Sequence, residues 1–401
     1  MHHFEIFDRP GWNCFTYTFP HWGGIEKRPG GRVVIRFDSA DASTYNDDFF
    51  FQHYEEVALC SDDGCRTWQR FEPDWSHLVP LHLSDGTRIE IVEARDLISR
   101  SAQRQRLEDL GIGHLWRDDC RLAWDLWPRR MLDELKAQGL LVFDQEGSWL
   151  PEDVVATHAP SGFVVRRCES GGDIWTEHAV AGLEPFYHLG PCFPGSVVLD
   201  DDTILFPFYA MRRRDEPPTR FTLMGAEIHV LRSRDGGRTF EMIMIGGNVP
   251  DTHMSEVSLV AHPSGRIVAM IRNPEIFCSI SDDFGTTWSL PRPTGIRDTI
   301  PMDAFCLEDG TILCAGAHRG APGGIQVVVS RDAGDTWEAD HPIILRDDVP
   351  PSGYIGGPGS VPLDDGSVFT FYNIVRPPIE KGRQPHCYIA GSVFEVPKSS
   401  H

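Results

Sequence analysis

A chain of 401 residues can bury a large core, and with 59 acidic against 37 basic residues its formal net charge is −22. That balance argues against nucleic acid or an anionic membrane as partner, but leaves room for a small anionic substrate gripped by local arginines. No apolar run reaches the roughly 18 residues that a membrane span requires.

The N-terminal stretch MHHFEIFDRPGWN lacks the basic-then-apolar layout of a secretory signal, so a cytoplasmic location is expected. The ten cysteines are scattered with no CxxC pair, which predicts reduced, mostly buried thiols rather than a disulfide framework or a zinc site.

Taken in chain order, the sequence alternates β-rich hairpins with a recurring octapeptide. The first hairpin, 28–37, precedes SDDGCRTW at Ser61–Trp68; the second, 81–95, precedes a degenerate SGGDIW at Ser170–Trp175. Between them, from about Asp96 to Leu141, the pattern turns helical. Leu122, Leu126, Met131, Leu132 and Leu135 recur at three- and four-residue spacings, Pro128 forces a break, and Gly139 ends the run. This predicts a helical insertion at 96–150, with Trp116, Trp124 and Trp127 in its core or as a sugar-stacking platform. Hairpins 194–212, 255–272 and 303–319 follow, the first two leading to the boxes SRDGGRTF (Ser233–Phe240) and SDDFGTTW (Ser281–Trp288), the third to SRDAGDTW (Ser330–Trp337). The last hairpin, 358–376, and the strand 386–396 end the repeat series.

The four octapeptides share the frame Ser-x-Asp-x-(Gly/Cys)-x-Thr-(Trp/Phe). Asp and Gly suit a tight turn, the hydroxyls can tie down its amides, and the closing aromatic anchors it. Hairpin, third strand and box together make a four-stranded blade. Counting gives six blades, or seven if 100–165 hides another. The strand missing from the last blade is expected from HHFEIF at the N-terminus, closing the ring.

The octapeptide is similar to the Asp-box, or bacterial neuraminidase repeat, and on it the chain resembles the sialidase superfamily. The resemblance implies an all-β, six-bladed, sialidase-like β-propeller spanning 1–401 as a single domain, with the helical insertion in blade two. The boxes mark the scaffold and lie away from the active site, so function rests on other residues.

What the resemblance implies for chemistry is an arginine clamp for a substrate carboxylate, a tyrosine nucleophile activated by a glutamate, and an aspartate acid/base. Glu256 opens a hairpin that Arg272-Asn273 closes, as the family's glutamate and second arginine do. Arg319 stands where the third arginine is expected, and Tyr354 where the nucleophile is expected, although the Ile355–Gly359 run after it is longer than the family's. The blade-one arginine motif is absent; Arg28 or Arg36 is its substitute. Asp47 or Asp48 fits the acid/base, with His53 as a rival. Arginine recurs at the same hairpin end in Arg212, Arg272, Arg319 and Arg376, which suits either substrate binding or inherited inter-blade ion pairs. Glu256 could equally serve only as the partner of Arg272.

Three functions remain open on this reading. One is exo-hydrolysis of a glycoside with a terminal acidic sugar, sialic acid or related. Another is β-elimination at uronic-acid linkages, with His188 or His253 as base and His318 near by. The third is non-catalytic carbohydrate binding. All three expect a carboxylate-bearing carbohydrate partner, no cofactor and no metal, since no two histidines have ligand spacing on one element.

Overall fold

The computed structural model describes residues 1–16, 24–41, 54–72, 80–94, 97–99, 142–144, 147–149, 154–156, 162–183, 188–192, 195–211, 227–245, 254–300, 302–352, 355–377 and 386–398, together with Ser101, Gln105 and Glu108. Six antiparallel sheets follow one another along the chain and form an all-β, six-bladed propeller. Blade four shows the plan: Val257–Ala261 is innermost, then Ile267–Ile271, Glu275–Ser281 and the outermost Arg292–Arg297. Blade five repeats it with Met302–Cys306, Ile312–His318, Gly323–Ser330 and Ile343–Val349. In blade six the strands Gly356–Pro362, Val368–Arg376 and His386–Phe394 are completed by His2–Phe7. The N-terminus therefore closes the ring, as HHFEIF predicts, supplying the outermost strand of the last blade.

Each innermost strand returns into the second through the same five-residue turn. In all six, the first amide donates to the fifth carbonyl and the fourth amide donates back to the first carbonyl: 28–32, 83–87, 199–203, 262–266, 307–311 and 363–367. The fourth position always has positive φ, between 64° and 88°; five are glycine and the other is Asp202. At the third position Asp85, Asp201, Asp309 and Asp365 each accept the amide two residues on. This is the Asp/Ser-Gly turn read from the sequence, with Asp-Asp as its variant.

The octapeptides join the third strand to the fourth. In Ser281–Trp288 the Gly285 amide donates to Ser281 Oγ at 2.9 Å, while Asp283 Oδ1 accepts the Thr286 and Thr287 amides at 3.1 and 2.8 Å. Thr287 Oγ1 donates to Asp283 Oδ2 at 2.7 Å. The threonine bonds hold the Asp283 carboxyl down at about 2, and Asp63 and Asp235 are held at about 2 by the equivalent contacts. The closing aromatics Trp68, Phe240, Trp288 and Trp337 each pack onto the apolar layer between two blades. Ser170–Trp175 also turns the third strand of its blade into the fourth, but through Gly172 N donating to Glu169 O at 2.9 Å.

Five of the junctions between blades are apolar layers, two to three, three to four, four to five, five to six, and six to one. The junction of blades one and two differs among the described residues. Its apolar part is Val34, Cys60 and Phe71, and buried charge fills the remainder. Arg36 pairs with Glu56, and Arg166 pairs with Glu90 and, at 3.0 Å, with Glu177. His82 of blade two lies 3.4 Å from Glu26 of blade one.

Within the predicted insertion, Leu97–Ser99 pairs with Val154–Ala156, Val142–Asp144 forms a ribbon with Gly147–Trp149, and Ser101, Gln105 and Glu108 are helical. These strands depart from the helical expectation for 96–150; the core of the predicted helix, 122–139, lies outside the described residues. The nine described cysteines are free, and eight are buried, as the scattered spacing implied. No helix among the described residues is long and apolar enough to cross a membrane.

Candidate active site at the face opposite the Asp-boxes

Strand register sorts the candidate residues by face. In blade four, Ile267 at the turn end pairs with Ser281 of the box, so turn and box share one face of the propeller. The opposite face receives the start of the innermost strand and the end of the second. Glu256 and Arg272 meet there, because Val257 pairs with Ile271 and the Arg272 amide donates to the Glu256 carbonyl at 2.8 Å. The Ser255 amide returns the bond to the Arg272 carbonyl at 3.1 Å.

The side chains continue this pairing. Arg272 Nη1 is 2.5 Å from Glu256 Oε1, and Ser255 Oγ donates to Glu256 Oε2 at 2.6 Å. Both carboxylate oxygens are thus engaged, and Arg272 and Glu256 remain part-exposed, with 28% and 19% of their side-chain surfaces open to solvent. A charged pair open at a propeller mouth can bind a ligand without first being dug out of the core. Cys192, from blade three, lies buried beside it; burial, and secondarily the Glu256 charge, keeps that thiol protonated.

Blade five delivers Arg319 to the same face, one residue beyond His318, which pairs with Gly324 at the end remote from the box. Arg319 Nε donates to the Ile355 carbonyl at 3.1 Å, so this half-buried arginine also fixes the chain entering blade six. The innermost strands of blades four and five are tied just below by Ser258 Oγ, which accepts the Ala304 amide at 3.1 Å.

The other arginines are placed differently. Arg376 ends its hairpin on the same face, but its Nη2 binds Glu5 and Asp8, at 2.6 and 2.7 Å, and its guanidinium lies over Tyr388. It clips the closing N-terminal strand to blade six. Arg28 sits in the 28–32 turn at the box end of blade one, 3.0 Å from Glu26 and over Phe71. It is therefore on the face opposite Glu256, because Lys27 pairs with Val33 and Val33 with Ser61. Arg36 is buried in its ion pair with Glu56. Tyr354, Asp47, Asp48, His53, His253 and Arg212 lie outside the described residues. His188 begins the innermost strand of blade three at the Glu256 face, pairing with Met211; only its backbone is described.

Two contributors escaped sequence reasoning. Ser255 is an ordinary serine until its hydroxyl is seen on Glu256. Asp303 is buried in the innermost strand of blade five, and a carboxylate inside the apolar MDAFC strand was the available signal. Among the described residues no group of three or more His, Cys, Asp or Glu could hold a metal ion.

Residues 154–349 match the BNR repeat-like domain family. The sequence matches no curated protein. A Dyadobacter fermentans protein of unknown function is similar across 98% of both chains, with 19% identity and a TM-score of 0.66. The leech intramolecular trans-sialidase bound to 2,7-anhydro-Neu5Ac is 15% identical over 98% of this chain and 70% of its own, with a TM-score of 0.54. The Ruminococcus gnavus intramolecular trans-sialidase bound to oseltamivir carboxylate is 13% identical over 93% of this chain and 94% of its own, at 0.53. The fold and the site face define the class, a β-propeller of repeated Asp-box blades. Over residues 154–349 the chain is similar to the BNR repeat-like family, and its fold is that of the solved trans-sialidases.

Proposed function

We propose that the chain is a sialidase-like glycosidase that removes a terminal acidic sugar, sialic acid or a relative, from a glycan. The observation that carries this reading is the part-exposed Glu256–Arg272 pair on the face opposite the boxes, with Arg319 on the next blade at the same face. Guanidinium forks match a carboxylate bidentately. In this reading Arg272 and Arg319 hold the sugar carboxylate. Tyr354, directly before Ile355, attacks the anomeric carbon while Glu256 takes its proton, and Asp48 is the acid/base. The solved trans-sialidases of the same fold, bound to a sialic acid derivative in one case, support this substrate class.

Blade one favours a second reading, carbohydrate binding without catalysis. Its two candidate arginines are committed elsewhere, Arg28 at the box face and Arg36 within the core, so the clamp on this face has two members on the described blades. Incubation with a fluorogenic sialoside separates the two. Time-dependent release of the fluorophore, without a new near-ultraviolet chromophore on the sugar, is expected for the hydrolase. A conjugated chromophore appearing on a uronate-containing glycan would instead indicate elimination. Silence on every acidic glycan, with saturable binding of one of them, would establish the non-catalytic reading.

A further inference from the structure

Three side chains at the mouth of blade four are graded in depth. Arg272 has 28% of its side-chain surface open to solvent and Glu256 19%, whereas Ser255 is only 2% exposed. A ligand arriving from solvent meets the guanidinium and the carboxylate, and Ser255 acts on it only through Glu256. The serine hydroxyl donates to Glu256 Oε2 at 2.6 Å, and Arg272 Nη1 donates to Oε1 of the same carboxylate at 2.5 Å. A hydroxyl this close to a carboxylate makes a charge-assisted bond, about twice as strong as one between neutral groups.

Backbone needs do not explain a serine here. The Ser255 amide donates to the Arg272 carbonyl at 3.1 Å, a bond that any residue but proline can make. In blade five the same place in the register belongs to Ile300, whose amide donates to the Ala317 carbonyl at 3.0 Å. An aliphatic side chain therefore serves at this strand entrance, without the cost of taking a hydroxyl out of water. What the serine adds in blade four is the bond to Glu256.

The support behind that bond is firm. Met254 and Val257, on either side of Ser255 and Glu256, are both buried in the apolar junction of blades three and four. Two residues further on, the Leu259 amide donates to the Gly195 carbonyl of blade three at 3.1 Å. A methyl group on Gly195 would lie 2.3 Å from the Val257 carbonyl oxygen, so only glycine lets the two innermost strands come this close. The two partners of Glu256 thus differ in kind. An incoming acid group competes with Glu256 for the part-exposed guanidinium of Arg272, but the buried serine hydroxyl is out of its reach.

We propose that Ser255 is the positioning residue of Glu256, holding its carboxylate in place while the Arg272 guanidinium is taken up by the acid group of the ligand. This role rests on the glycosidase reading, in which Glu256 takes up a proton at one fixed point. Misplacing a reacting group by about 1 Å can cost on the order of a hundredfold in rate.

Kinetics of Ser255→Ala and Ser255→Thr on the fluorogenic sialoside test the role. The alanine variant is expected to lose about tenfold to a hundredfold in kcat with KM within about twofold, because Arg272 and Arg319 still hold the sugar. The threonine variant keeps a hydroxyl and recovers most of that loss. A serine needed only for folding would lower Tm and leave kcat unchanged. Unchanged kcat in the alanine variant, or a loss carried by KM, would overturn the role. The Cδ resonance of Glu256, identified in glutamate-labelled protein by its absence from Glu256→Gln, supplies a readout that needs no turnover. It is expected to move in Ser255→Ala and to stay near its wild-type place in Ser255→Thr. An unmoved resonance in the alanine variant, or a threonine variant that keeps the resonance without recovering kcat, would also overturn the role. A wild type silent on every sialoside would sink the glycosidase reading instead, and the resonance would still decide whether Ser255 holds Glu256.

Discussion

Replacing Arg272 by methionine is expected to lower kcat/KM for a sialoside by about two to three decades while shifting Tm by less than about 2 °C. Methionine keeps the apolar stem and removes the guanidinium. The stability cost is small because the Glu256–Arg272 pair is part-exposed, and such pairs are worth roughly 1 kcal/mol or less in water. In the proposed reading the guanidinium meets the sugar carboxylate in a site closed off by that sugar, where a lost charged partner costs about 3–4 kcal/mol, so the functional cost is large. Arg272→Lys keeps the charge but not the fork, and should fall between. A pair with only a structural role would show the opposite pattern, a Tm loss with kcat/KM unchanged.

The largest stability effect is expected at the closure of the ring. Phe369 has no exposed surface; its ring stacks on Phe4 of the closing strand at 6.2 Å and meets Trp68 of the first box at 5.4 Å. Gly391 on the neighbouring strand is pressed so closely against that ring that a methyl group there would lie 2.6 Å from it. Phe369→Ala empties a site shared by three chain segments and should cost about 3–5 kcal/mol, or roughly 5 °C in Tm for a chain of this size. Equilibrium denaturation and calorimetry check it. An effect below about 1 kcal/mol would mean that the N-terminal strand adds little to the sixth blade.

Much of this scaffold is legible in the sequence because its turns are chemically specified. Ser, Asp and Thr of the octapeptides make the bonds their positions suggest, the Asp/Ser-Gly dipeptides sit at positive φ, and HHFEIF completes the last blade. The Glu256–Arg272 contact is legible for the same reason: antiparallel register brings the two ends of one hairpin together. Other features depend on partners remote in sequence. Arg28 and Arg376 carry the same residue type as Arg272, and only the register and the positions of Glu26, Glu5 and Asp8 show which arginines are committed elsewhere. The charged junction of blades one and two could not be read from either blade alone, since Arg36, Glu90 and Arg166 each resemble an ordinary strand-surface charge. Asp303 accepts the amide of Ser360, 57 residues away on the next blade.

Calorimetric titration of the sialic acid glycal, 2-deoxy-2,3-didehydro-N-acetylneuraminic acid, into the wild type and into Arg272→Met tests the proposed grip on an acidic sugar most directly. One saturable site in the wild type, weakened about a hundredfold or more in the variant, is the predicted result. Equal affinity in the two proteins, or no binding to the wild type, would contradict it.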